Sequence, residues 1–195
     1  LFPYLGSANA LMKEGVDFVE IDRVMERWGW PMGPAYLQDV VGLDTCEDAS
    51  GVMAEAFPER MQVDYKSAAE ALFEAGRLGQ KNAKGFYQYV PDKKGRIQKT
   101  ADDAVGVLLS DHIDAAKTMD DEEIIDRLMV PMALEMIRCL DEGIVATPAE
   151  ADMALIMGIG FPMFRGGICR WLDNTGISEF CAKAEKYADL GEPYR

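Results

Sequence analysis

The segment LMKEGV at residues 11–16 returns as CLDEGI at residues 139–144, and each glycine stands twelve positions after a proline, Pro3 to Gly15 and Pro131 to Gly143. A shared offset of 128 makes the chain a duplicated unit, and duplication decides the architecture before any local motif is read. In both places glycine stops a long run with helical apolar spacing, as a residue just past a helix C-terminus does. A capped helix then starts in each copy, Asp17-Phe-Val-Glu20 leading to Asp22 and Thr147-Pro-Ala-Glu150 leading to Asp152, both of the form cap-x-x-Glu. Pro148 takes the favoured first helical position. Each copy next reaches an aromatic-Pro-Met element, GWPMGP at 29–34 and GFPM at 160–163 followed by Gly166 and Gly167, with the offset drifted to 131. The repeated unit is a long helix, a glycine stop, a short capped helix, a Gly/Pro turn and another helix.

The first copy continues further. Thr45-Cys-Glu-Asp48 predicts a helix start running toward Phe57-Pro58, and Ala68, Ala71, Leu72 and Ala75 fall at helical spacing. Residues 79–85 read as a polar, basic loop, and Phe86–Val90 as a short β-like excursion followed by a turn at Pro91–Gly95. Residues 91–126 hold five basic and ten acidic residues and form a connector with one helix near Ala104–Leu109. The connector leads into the second long helix, whose start Asp120-Asp-Glu-Glu123 suits the helix dipole. The expected fold is all-α, with a first helical repeat over 1–90, an acidic connector over 91–119 and a second repeat over 120–195 packed against the first. Acid-capped residues precede Pro131 but only two residues precede Pro3, so the first helix is expected to begin upstream and the chain to be a piece of a longer protein.

Composition narrows the function. Among 195 residues, 49% are hydrophobic, and 34 acidic against 20 basic residues give a net charge of −14, which argues against nucleic acid or an anionic membrane surface. No run approaches the roughly 18 apolar residues of a membrane span. Cys46, Cys139, Cys169 and Cys181 form no C-x-x-C pair and read as reduced thiols of a cytoplasmic protein. The single histidine, His112, rules out a multi-histidine metal site; its acidic connector places it at the surface.

Each candidate for chemistry has a structural counterpart. The Trp30–Pro34 turn suits either a narrow slot for an extended apolar ligand or a packed interhelical turn. Lys81 and Lys84 among glycines suit a phosphate or a solvated loop. Gly158-Ile-Gly160 is no dinucleotide fingerprint, because it follows a helical pattern and runs into Pro162, which has no N–H to donate. Glu14, Glu142, Asp22 and Asp152 occupy cap-adjacent positions, and Met129, Met132 and Met136 have core spacing. The residues by themselves assemble no catalytic constellation.

With LFP at 1–3, GWPMGPAYLQDVVGLDT at 29–45, GQKNAKGFY at 79–87, GIGFPM at 158–163 and RWLD at 170–173, the chain resembles the duplicated C-terminal helical region of 3-hydroxyacyl-CoA dehydrogenases, as found in the multifunctional β-oxidation enzymes and most closely in the α subunits of bacterial fatty-acid oxidation complexes. The resemblance implies a parent that is also an enoyl-CoA hydratase/isomerase, acts on acyl-CoA and partners a thiolase β subunit. It implies that NAD and the catalytic His-Glu pair belong to an upstream domain, with no catalytic or cofactor residue in this stretch. The implied acyl-pocket residues are Pro31, Met32, Gly33, Pro34 and Leu37, with Trp30 as a neighbour. The second copy, with Phe164-Arg165 before Gly166, departs from this pattern and is expected to pack on the first, replacing a contact that single-copy relatives make between two chains. The competing expectation is a helical scaffold for subunit contacts with the thiolase partner, without a role in the acyl pocket.

Overall fold

Two helices carry the repeat, α1 (Phe2–Lys13) and α8 (Asp121–Asp141), and they pack along each other at the centre of the computed structural model, which describes residues 1–195. They end alike. Gly15 has φ 92° and donates to the Met12 carbonyl while Val16 donates to Leu11; Gly143 has φ 71° and donates to Leu140 while Ile144 donates to Cys139. The positive φ is what glycine supplies at a helix terminus. The two prolines differ in consequence. Pro3 lies in the first turn of α1, where no N–H is missed, but Pro131 lies inside α8 and leaves the Arg127 carbonyl without its helical donor. The Tyr194 hydroxyl fills that vacancy at 2.9 Å, so the chain's end is tied to a proline inside a helix.

Around this pair the first copy adds α2 (Phe18–Trp28), α3 (Pro34–Val41), α4 (Leu43–Ala56), α5 (Pro58–Met61) and α6 (Ala68–Glu74), then β1 (Gln88–Pro91), β2 (Ile97–Thr100) and α7 (Asp103–Leu109); the second adds α9 (Pro148–Ile159), α10 (Ile168–Thr175) and α11 (Ile177–Tyr187). The fold is all-α apart from one two-stranded sheet. The expected caps form: Asp17 accepts from Val19 N–H, Thr147 from Glu150 N–H and Asp120 from Glu123 N–H. The copies share one core. Phe161 stands edge-on to Trp28 and Trp30 at 5.8 and 5.4 Å, Trp171 meets Trp28 at 6.0 Å, and the Arg165 guanidinium lies over the Trp28 ring at 3.9 Å while donating to the Trp28 carbonyl.

Five local expectations change. α4 begins at Leu43, not Thr45, because Gly42 at φ 104° turns the chain directly from α3 into α4. The strand-like run gains a partner, β2, antiparallel in the register Gln88↔Thr100. β2 is exposed along its whole length, so no apolar alternation announced it. The expected boundary at residue 90 falls inside this hairpin. Residues 91–119 also do more than connect: Val105 and Leu109 are buried, and the N–H groups of Asp114 and Lys117 donate to the carbonyls of Lys13 and Gly15, strapping the segment to the end of α1. His112 beside them is half-buried instead of lying at the surface.

Candidate functional site

The site is organised by α3, and buried carboxylates hold both ends of it. Asp22, in α2, accepts from the N–H groups of Ala35 and Tyr36 at 2.8 and 3.0 Å, capping the start of α3 from outside, where a negative charge suits the helix dipole. It also accepts from the Tyr87 hydroxyl at 2.7 Å. Burial pushes its carboxyl up to about 6, against the pull of those hydrogen bonds. Asp39, near the other end, accepts from the N–H groups of Phe86 and Tyr87 at 2.8 and 3.0 Å and from the Tyr89 hydroxyl at 2.7 Å, and burial raises its carboxyl too. A Cβ at Gly33 would collide with Asp22, and one at Gly85 with Asp39. These carboxylates therefore act as structural clamps, as expected of Asp22, although Asp22 caps the next helix and not its own.

The clamp fixes which face α3 turns toward α1. Between α1, the end of α3, α4, the segment 58–65 and the tail 190–194 lies a cavity of about 690 Å³. Its wall carries Phe2, Leu5, Leu37, Val41 and Met53, with Gly6, Asn9 and Ala10 along α1. Beyond these stands a polar end, where Arg127 pairs with Glu14 and donates to the Tyr194 hydroxyl at 3.1 Å. Nearby Tyr65 is pushed up to about 12 by burial, with Glu14 adding to the effect. The lining is mixed, with Gln38, Thr45, Ser50, Arg60 and Asp64 among the apolar side chains, so the cavity offers a ligand both apolar contact and polar partners.

Of the six residues carried over by resemblance, only Leu37 lines this cavity. Trp30 is buried in the seam between copies, 5.2 Å from the Tyr4 ring. Pro31 lies close to Gly160 of the second copy, Gly33 lies beneath Asp22, and Pro34 opens α3 with its carbonyl accepting from Gln38 Nε2. Met32 is half-buried in the same turn. The turn thus sets the position of α3 while Leu37 presents the side chain. Gly6, Asn9, Ala10, Val41 and Met53 line the cavity as well and were not among the residues expected there. Their spacing is that of any helix face, and nothing local marks the face as bordering a void.

The other candidates resolve simply. Lys81 pairs with Asp44, leaving the 79–85 loop a salt-bridged turn. No group of three or more His, Cys, Asp or Glu side chains gathers to hold a metal, and no helix is long and apolar enough to cross a membrane. Gly158 lies within α9 and Gly160 ends that helix, a geometry that does not fit a dinucleotide pyrophosphate, which needs a helix start. On the second copy, the α8 face that corresponds to Gly6, Asn9 and Ala10 carries Leu134, Ile137 and Arg138, and Arg138 donates to the Glu192 carbonyl at 3.0 Å.

Comparison with known proteins points one way. Residues 1–89 match the family described as 3-hydroxyacyl-CoA dehydrogenase, C-terminal domain. The whole chain is 57% identical to a fatty acid oxidation complex subunit alpha of Psychrobacter sp. (strain PRwf-1), and 55% identical to that of Acinetobacter baylyi, covering 27% of each. The chain thus spans about a quarter of the length of these curated relatives. In fold it is similar to the dehydrogenase part of multifunctional enzyme 1 from C. elegans, at TM-score 0.72, 22% identity, and coverage of 98% of this chain and 43% of that one. It is also similar to 3-hydroxybutyryl-CoA dehydrogenase from Escherichia coli K12, at TM-score 0.67, 17% identity, and coverage of 100% and 56%.

Proposed function

We propose, from the match of residues 1–89 to the 3-hydroxyacyl-CoA dehydrogenase C-terminal domain, that the chain forms the acyl-side wall of an NAD-dependent 3-hydroxyacyl-CoA dehydrogenase within a multifunctional fatty-acid oxidation α subunit. The parent enzyme interconverts 3-hydroxyacyl-CoA and 3-ketoacyl-CoA, its enoyl-CoA hydratase/isomerase activity resides in other domains, and its partner is a thiolase subunit in the cytoplasm. NAD and the catalytic His-Glu pair sit in the nucleotide-binding domain of that parent, so this chain's part is to bind and orient the acyl group and to exclude water from it.

The observation that carries this reading is the cavity of about 690 Å³ with Leu37 in its wall. The Pro31–Pro34 turn and the Asp22 clamp act through Leu37 by fixing α3, and Trp30 anchors the turn to the second copy. In the intact α subunit, Leu37→Glu places a charge among apolar lining groups and is expected to lower dehydrogenase kcat/KM toward a long-chain 3-ketoacyl-CoA by at least about tenfold, with the melting temperature and subunit assembly preserved. Kinetics equal to wild type in a folded variant would overturn the proposal.

A second reading, a scaffold for the thiolase subunit, draws on one observation: Met153, Met157, Met163 and Phe164 are all exposed, apolar side chains of the kind a partner surface covers. It predicts that Met157→Glu releases the partner subunit while Leu37→Glu changes nothing.

A further inference from the structure

We infer that the outer face of α9, at Met153 and Met157, is a docking surface for another part of the same polypeptide: the stretch that precedes Leu1 in the longer α subunit, which continues α1 backward and lays an apolar side chain across the two methionines. The inference rests on the reading of this chain as one region of such a subunit and is independent of the acyl wall. From Met153 to Ile159 the helix carries no charged residue, yet of its twelve residues only Ala151 is buried. Leu155, Ile156 and Ile159 pack against the shared core, whereas Met153 and Met157 are 55% and 76% exposed. A surface helix keeps its outer stripe polar, and a helix that is apolar all round is covered all round.

The first copy shows what does the covering. At the offset of 130 that relates Asp22 to Asp152, Met153 and Met157 answer to Arg23 and Arg27. Both arginines donate to the Asp121 carboxylate, at 3.0 and 3.2 Å, so the start of α8 lies across the outer face of α2. α2 packs on α1, α3 and α8, whereas α9 packs mainly on α8 and α10, both of its own copy. The contact with the long helix of the other copy is the one it lacks. The two long helices run antiparallel: Glu14 at the end of α1 pairs with Arg127 in the first half of α8, and the Asp114 N–H just ahead of α8 donates to the Lys13 carbonyl. Exchanging the copies therefore puts what precedes α1 against α9. At the offset of 128, the position that answers to Asp121 is the eighth before Leu1. Ten residues of α8 precede Pro131 and carry it to α2; the same length of helix ahead of Pro3 reaches α9.

The character of the contact changes with the exchange. Arg23 and Arg27 attract a carboxylate, and Met153 and Met157 reject one, because a charge pressed against two thioethers loses its water without gaining a partner. Unbranched methionine side chains adapt instead to an apolar shape laid on them. The occupant is thus an apolar helical segment tethered at Leu1, and Ile144, exposed in the turn between α8 and α9, adds to the surface it passes. The scaffold reading gives this same face to the thiolase subunit, and the two occupants exclude each other.

The test uses the intact α subunit without its partner, with one cysteine placed at the eighth position before Leu1 and a second by Met157→Cys. Cross-linking by a short bismaleimide is followed over time, and the linked peptides are identified by mass spectrometry. In the control, Val107→Cys, on α7 of the first copy and as exposed as Met157, replaces Met157→Cys. A link within one chain, formed at least about tenfold faster for Met157→Cys than for Val107→Cys, is expected from the raised effective concentration of two thiols held in contact. Both substitutions lie outside the core, and far-UV circular dichroism verifies that the variants fold. A rate equal to the control, a link between two chains, or a Met157→Cys thiol that is blocked only when the thiolase subunit is added would each overturn the inference. The last result would give the face to the partner, and all three would leave the acyl wall, tested at Leu37, standing.

Discussion

The two copies use the same carboxylate device at different depths. Asp22 and Asp152 each reach from the second helix of their copy to two N–H groups at the start of the third, Ala35 and Tyr36 in one case and Cys169 and Arg170 in the other. Beneath both lies a glycine, Gly33 or Gly167, whose Cβ would collide with the carboxylate. The first copy then adds a layer that the second lacks. The segment Phe86–Tyr89 folds over α3, Tyr87 donates to Asp22, and the site is sealed from water. Asp152 stays half-buried, with Arg170 exposed beside it. One ancestral clamp therefore serves two ends: in the first copy it fixes a helix that borders a cavity, and in the second it steadies a buttress that delivers Phe161 to the Trp28–Trp30 pair.

The sharpest way to break this contrast is at the seam. Phe161→Ala removes a fully buried ring from between the copies and is expected to cost about 3–5 kcal/mol, read as a shift of the urea midpoint. Two separate unfolding transitions, with the first unmoved, would mean that the copies are independent domains.

The depths of the clamps are compared by Asp22→Ala and Asp152→Ala at neutral pH. The first strands two buried N–H groups and a buried hydroxyl and is expected to cost about 3 kcal/mol, whereas water reaches the groups freed by the second, which is expected to cost about 1 kcal/mol. Equal losses would show that the hairpin adds nothing to the first clamp.

Protonation sharpens the same point. The folded Asp22 carboxyl, at about 6, lies above the unfolded value of about 3.9, so the folded state holds the proton more tightly. This group's contribution to stability therefore falls as pH rises from about 4 to about 6 and is level above that. Asp22→Asn is expected to remove that part of the slope from the pH dependence of the unfolding free energy. A slope identical in the variant would show that Asp22 does not titrate in this window.

The smallest effect concerns helix propensity. Gly6→Leu is expected to raise stability by up to about 1 kcal/mol, since leucine is the better helix former and the site is open. A loss of stability would mean that the space beside Gly6 is filled.

Much of the scaffold was readable along the chain because its signals are short-ranged. The glycine stops at Gly15 and Gly143, the caps at Asp17, Asp120 and Thr147 and the acidic start of α8 each involve residues within one helical turn, so a single sequence displays them completely. The candidate site was less readable. Of the turn Trp30–Pro34 and Leu37, only Leu37 reaches the cavity, because a helix of eight residues shows one side to α1 and the other to the hairpin, and a short segment does not state which. β2 escaped notice since its partner lies beyond a turn and none of its side chains is buried.

The amino-acid sequence by itself determined the duplication and the helical class, both of which rest on local spacing. Tertiary structure alone decided that Tyr194 satisfies the carbonyl freed by Pro131, that Asp22 caps α3, and that α1 borders a cavity. A cavity is a property of surfaces brought together from α1, the 58–65 segment and the tail at 190–194. Its shape depends on how far those distant pieces stand apart, a distance that no stretch of sequence contains.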